Sequence, residues 1–118
     1  MRFFFYGSLK RGHGNNQRFE LEKKASFLGE QALLGWDMWD LGAYPCITPG
    51  EGTISGEVWE LEKEEADWIR RMELGAGYEE GEIESEKWGP TKIYFMASAP
   101  RRGVKILPIG GVISWGLR

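Results

Sequence analysis

The chain opens on Arg2-Phe3-Phe4-Phe5-Tyr6-Gly7-Ser8-Leu9-Lys10-Arg11-Gly12, and the rest of the molecule is organised around this stretch. Its apolar run is too short for a buried helix and is rich in aromatic residues, so it reads as a buried strand. Gly7 stops the run, and Ser8 through Gly14 is loop chemistry. A glycine just past a buried strand lets the backbone turn with positive φ, or lets a ligand approach the main chain closely. Successive N–H groups in such a turn can converge on one anion. Residues 6–9 can therefore hold a carboxylate with main chain alone. Taken by themselves, the residues favour the plainer reading of a strand that simply ends.

At 118 residues the chain has room for one core, so 1–118 is expected to be a single domain. Six tryptophans and six phenylalanines can fill that core or wall a ligand cavity. Seventeen glycines suit the tight turns of a small barrel or meander. The net charge of −3 argues against nucleic acid as partner. The basic pairs Lys23-Lys24, Arg70-Arg71 and Arg101-Arg102 read as solvated surface, whereas Lys10-Arg11 flanks the anion turn and can steer an anionic substrate to it. A lone cysteine, Cys46, allows no intramolecular disulfide and fits a reducing compartment. No apolar leader follows Met1 and no stretch has the length of a membrane span, so a cytoplasmic location without membrane contact is expected. Monomer and homodimer both remain open.

Along the chain, residues 15–24 form a short helix or turn with Asn15 or Asn16 as N-cap. Residues 25–34 and 35–41 read as two strands, with Gly29 an irregularity and Gly42-Ala43 a break. Pro45 keeps Tyr44 extended, Pro49-Gly50-Glu51-Gly52 signals a turn, and residues 53–61 alternate as a strand. The strongest helix spans 62–73, where Leu61, Trp68, Ile69 and Met72 make one apolar stripe. Gly75-Ala76-Gly77 ends it. The acidic segment 78–86 needs an irregularity, placed at Gly81, to be a strand. Residues 91–97 are a strand, and residues 104–115, broken by Pro108 and Gly110-Gly111, pack as an arm with a final short strand.

Glu73 stands out chemically. It lies at the margin of the apolar stripe, one turn beyond Ile69, at the helix C-terminus. Desolvation and the negative end of the helix dipole would both raise its pKa, which suits a proton shuttle. The wheel alone favours a surface glutamate paired with Arg70 or solvent. His13, between two glycines, reads as solvent-exposed, and Cys46 as a small buried thiol without a base. One His and one Cys make no zinc site, so no metal is expected. Glu57 is a carboxylate beside the site or a partner for a cation.

The blocks Phe5-Tyr6-Gly7-Ser8-Leu9-Lys10-Arg11-Gly12, Asn15-Asn16, Phe27-Leu28-Gly29, Leu41-Gly42-Ala43-Tyr44-Pro45-Cys46-Ile47, Gly56-Glu57-Val58-Trp59-Glu60-Leu61, Glu73 and Tyr78 follow one another in an order that resembles the gamma-glutamylcyclotransferase-like family. They cover roughly the first two thirds of the chain. The resemblance implies an α+β fold, a small mixed β-barrel with one main helix and a short second helix. It implies a cofactor-independent reaction in which Glu73 moves the proton. Tyr6, Gly7, Ser8 and Leu9 grip a small γ-glutamyl or other carboxylate-bearing substrate, and Tyr78 either hydrogen-bonds it or is a core tyrosine. The activity implied is a cyclotransferase releasing 5-oxoproline; the alternative is a non-catalytic module that keeps the cavity and binds a small metabolite or a protein. Arg70 stands where the family usually has Asp, Leu74 where it has Gly, and the family's usual ending is not evident around Ser114-Trp115.

Overall fold

The structure, a computed structural model, describes residues 1–116. The opening run is strand β1 (Arg2–Phe5), and it lies in the interior of the sheet. It is followed by helices α1 (Gly14–Arg18) and α2 (Leu21–Lys24), then strands β2 (Ser26–Asp40) and β3 (Pro45–Glu60). Helix α3 (Lys63–Gly75) leads into β4 (Glu79–Ser85) and β5 (Gly89–Phe95), and β6 (Val104–Lys105) closes the series. The sheet order is β4-β5-β1-β3-β2-β6, with β1 and β5 parallel and the other pairs antiparallel. The sheet curls into a half-barrel: the Met96 N–H past the end of β5 donates to the Ile47 carbonyl on β3, 2.9 Å away. This is the mixed α+β barrel architecture anticipated from sequence, with three helices instead of two.

Three phenylalanines in a row are needed because β1 is buried on both faces. Strand side chains alternate, so Phe3 and Phe5 join Leu21, Trp59, Leu61 and Ile69 under the helices. Phe4 and Tyr6 point the other way, onto Met38, Ile47, Ile54, Val58 and Ile93. The same alternation sends Trp39 to the first cluster and Trp36 to the second, where its ring meets Phe95 edge-on at 5.6 Å between centroids.

Several local expectations are corrected. Where two strands, 25–34 and 35–41, were expected, Ser26–Asp40 is one long strand: Gly35 sits at φ +94° in a bulge between Leu34 and Trp36, and pairing resumes beyond it. Pro49–Gly52 is likewise strand rather than turn. A Cβ on Gly50 would lie 2.2 Å from an Asp37 carboxylate oxygen, and the Gly52 N–H donates to Asp37 at 3.2 Å. These glycines admit a neighbouring strand's side chain. Strand β4 pairs with β5 in unbroken register, so Gly81 carries no irregularity. Among the described residues the arm after β6 is tied to the sheet by the Ile106 N–H, which donates to the Met38 carbonyl at 2.9 Å, and by the bridge of Ile113 to Ile54, in place of a final strand. His13 is half-buried, its ring against Gly116.

Candidate active site

Where β1 ends, a cavity of about 240 Å³ opens. Its inner wall is Phe4, Phe5, Tyr6, Gly7, Ser8 and Leu9. Pro45 and Tyr44 enter from the start of β3, Tyr94 from β5, and Met72, Glu73, Ala76 and Tyr78 from the end of α3 and the turn after it. Asn15 and Arg18 complete it from α1. No tryptophan lines it. All six residues singled out from sequence as a site, Tyr6, Gly7, Ser8, Leu9, Glu73 and Tyr78, thus border one hollow.

The turn after β1 is fastened by α1. The Asn15 amide donates to the Ser8 hydroxyl at 2.8 Å, and the buried Asn16 amide donates to the Leu9 carbonyl at 2.7 Å. The backbone N–H groups of both asparagines converge on the Ser8 carbonyl, at 3.0 and 3.1 Å. Asn15 and Asn16 were expected to cap the helix. The N-cap is instead His13, which makes no side-chain cap bond, and the asparagines pin the turn. Gly7 does not take positive φ. It is glycine because Pro45 packs on it: an added Cβ would stand 2.8 and 2.9 Å from the proline ring. Among the described residues, the N–H groups of Gly7, Ser8 and Leu9 donate to no protein acceptor.

Glu57 holds the far side of the loop. Its carboxylate accepts from the Arg11 N–H at 2.8 Å, from the Arg11 guanidinium at 3.3 Å and from the Trp59 indole at 3.1 Å. Arg11 also stacks on Phe27, 3.7 Å from the ring centroid. Lys10 donates to the Trp115 carbonyl at 2.8 Å. Neither Lys10 nor Arg11 lines the cavity. The lining cation is Arg18, which sequence reading passed over because it sits alone on a marginal helix.

Glu73 is half-buried, and burial pushes its carboxyl up to about 7. It is not paired with Arg70, whose guanidinium lies 3.4 Å from Glu80 outside the cavity. The chain delivers Glu73 and Tyr78 together through the end of α3. The Tyr78 N–H donates to the Glu73 carbonyl at 3.1 Å, the Gly77 N–H to the Leu74 carbonyl at 3.2 Å, and Gly77 sits at φ +96°. This is a Schellman ending, in which only the residue after the cap needs left-handed backbone. Leu74 therefore fits where the family usually has Gly.

Three phenols of the cavity wall are held as neutral hydroxyls. Tyr6, Tyr78 and Tyr94 are all raised above the ordinary tyrosine value, first by burial and further by neighbours that include the Glu73 charge. Tyr6 donates to the Tyr94 carbonyl at 2.7 Å, and Tyr78 donates to the Pro45 carbonyl. Tyr78 is thus a satisfied buried tyrosine that also forms cavity wall. Cys46 is fully buried, and burial lifts its thiol to about 11.

Sheet order and curl define a small α+β half-barrel with a cavity at the end of its first strand. Residues 3–111 match the family model of gamma-glutamyl cyclotransferase, AIG2-like proteins, and the chain belongs to that family. It is 27% identical over 110 residues to the gamma-glutamylcyclotransferase family protein YtfP of Escherichia coli K12, covering 93% of this chain and 94% of YtfP. It is 32% identical over 101 residues to protein PH0828 of Pyrococcus horikoshii, covering 86% and 83% of the two chains. The crystal structure of PH0828 superimposes with a TM-score of 0.75 at 29% identity over 89% of this chain and 86% of that one. The solution structure of the Escherichia coli protein gives 0.74 at 26% identity over 90% and 91%. The resemblance carried by the opening block and the blocks that follow it is borne out.

Proposed function

We propose that the protein is a γ-glutamyl cyclotransferase in which Glu73 is the catalytic acid–base group. The observation that carries this reading is one half-buried carboxyl, held near neutrality by burial, sharing a small hollow with the turn Tyr6–Leu9. The substrate's α-carboxylate sits on the amides of Gly7, Ser8 and Leu9, which have no protein acceptor among the described residues. Its α-ammonium then lies toward Glu73. The carboxylate accepts the ammonium proton, and the free amine attacks the γ-carbonyl carbon. The new C–N bond closes a five-membered ring, the Glu73 proton passes to the leaving nitrogen as the old amide C–N bond breaks, and the ring nitrogen gives up its remaining extra proton, through Glu73 again, to the departing amine. Atoms and charge balance as 5-oxoproline plus the leaving amine in its ammonium form, and the carboxylate is regenerated.

A carboxyl poised at about 7 can do both halves of this shuttle at neutral pH. Clamping the substrate in the cyclising conformation supplies effective concentration without further chemistry. The cavity, at about 240 Å³, is below the range of about 300–1,000 Å³ of drug-sized sites, so a γ-glutamyl head with a small leaving group fits it better than a long peptide. The test is 5-oxoproline release from a panel of γ-glutamyl compounds by wild type and Glu73→Gln. Loss of about 10²- to 10⁴-fold in the variant is expected. Unchanged turnover removes Glu73 from the reaction, and saturable binding without turnover by wild type makes the protein a binding module.

A further inference from the structure

Among the described residues Arg18 is the one cation lining the cavity, and the cyclisation just described gives it nothing to do. It is the last residue of α1, exposed at the rim. Among the described residues no carboxylate lies within ion-pair distance of it, and its guanidinium carbon stands 5.3 Å from the centre of the Phe19 ring. It is also well placed. Asn15, three residues earlier on the same helical face, is bonded to Ser8 at 2.8 Å and lines the same cavity. The helix that carries Arg18 is therefore locked to the turn that faces the substrate.

Resting on the cyclotransferase reading, we infer that Arg18 reads a carboxylate on the leaving group, so that the preferred substrates are γ-glutamyl α-amino acids and not γ-glutamylamines. The turn amides take the α-carboxylate of the glutamyl head, and Glu73 takes its ammonium. A γ-glutamyl amino acid brings one further negative charge, on the departing half. That half points away from the buried floor, toward the rim where Arg18, the exposed Tyr44 ring and Ala76 lie. A planar guanidinium matches a carboxylate with two parallel hydrogen bonds. A γ-glutamylamine would leave that guanidinium facing apolar wall without a counter-charge.

The experiment compares γ-glutamylalanine with γ-glutamylalaninamide, which differ only in the leaving-group charge. Wild type is expected to favour the acid in kcat/KM by about 10- to 100-fold, the size of one charge-assisted pair, and the preference should shrink as salt is raised. In Arg18→Gln the acid-to-amide ratio should fall to near one, and Arg18→Lys should restore part of it. The variants are exposed on a surface helix, so folding is checked by unchanged melting. A ratio near one in wild type, or a ratio preserved in Arg18→Gln, overturns the inference. Equal losses on both compounds in Arg18→Gln would place Arg18 on the glutamyl head and overturn it too. If wild type releases 5-oxoproline from neither, the cyclotransferase reading fails separately, and calorimetric binding of the same two compounds to Glu73→Gln protein still reads the ratio.

Discussion

Replacing Glu73 with glutamine should make the folded protein more stable above neutral pH while removing its activity. The carboxyl's affinity for its proton rises from an ordinary 4.5 to about 7 on folding. A raised carboxyl pKa means the folded state binds the proton more tightly than the unfolded chain, so ionising it at high pH works against folding. Below about pH 4.5 the group is protonated in both states and there is no penalty. Between 4.5 and about 7 the penalty grows, and above that it is complete. At about 1.4 kcal/mol per pH unit the full penalty is about 3 kcal/mol. Because the side chain keeps some solvent contact, about 2 kcal/mol is the usable figure. Glutamine keeps the shape and cannot ionise. Thermal unfolding should therefore show Glu73→Gln melting about 6–10 °C above wild type at pH 8. The two should nearly coincide at pH 4.5. A melting difference that does not change between these pH values would refute the burial argument, whatever the variant does to turnover.

On the proposed mechanism the same proton governs the rate. kcat/KM for 5-oxoproline release should climb about tenfold per pH unit on the acid side and level off above about 7, because only the ionised Glu73 can accept the ammonium proton; a profile flat from pH 5 to 8 excludes it as the base. Gly7→Ala places a methyl 2.8 Å from the Pro45 ring and should cost about 1–3 kcal/mol in chemical denaturation together with most activity. Asn16→Ala leaves the Leu9 carbonyl without its buried donor and should cost about 1–3 kcal/mol, with a lower kcat from a loosened turn. Arg70→Ala breaks only a partly exposed pair with Glu80 and should change stability by less than about 1 kcal/mol, leaving the pH profile in place; a displaced profile would mean that Arg70 acts on Glu73 after all.

What the sequence revealed and what it hid divide along physical lines. The strand at 2–6, the helix at 63–75 and the acidic strand partner rest on short-range periodicity, which a single sequence carries. Pro49–Gly52 was misread because the glycine signal for a turn is the same as the signal for close approach. Only the position of Asp37 on the paired strand tells them apart. Asn15 and Asn16 were misassigned for a related reason: an asparagine before a helix caps it or reaches back to the preceding loop, and local spacing does not choose. Arg18 was missed because nothing in its neighbourhood marks a cation on a five-residue helix as facing a cavity built mostly by distant segments.

The placement of Glu73 shows how little sequence is needed to aim one carboxyl. Ala66 and Ile69, with Leu61 just before the helix, fix the rotation of α3 by burying one of its faces. Glu73 then falls at the edge of that face, where it is drawn toward the core without entering it. The ending with Gly77 in left-handed backbone turns the chain at once, and the buried Tyr78 comes back beside Glu73. That reversal closes the hollow on one side, while Pro45 pressed onto Gly7 closes it on another. Each closure excludes water from the carboxyl and so raises its pKa. Exchanges at Arg70 or Leu74, both directed away from the cavity, leave those closures intact. Substitutions that matter should therefore cluster at Gly7, Pro45, Gly77 and Tyr78, residues that never meet the proton but determine where it is held.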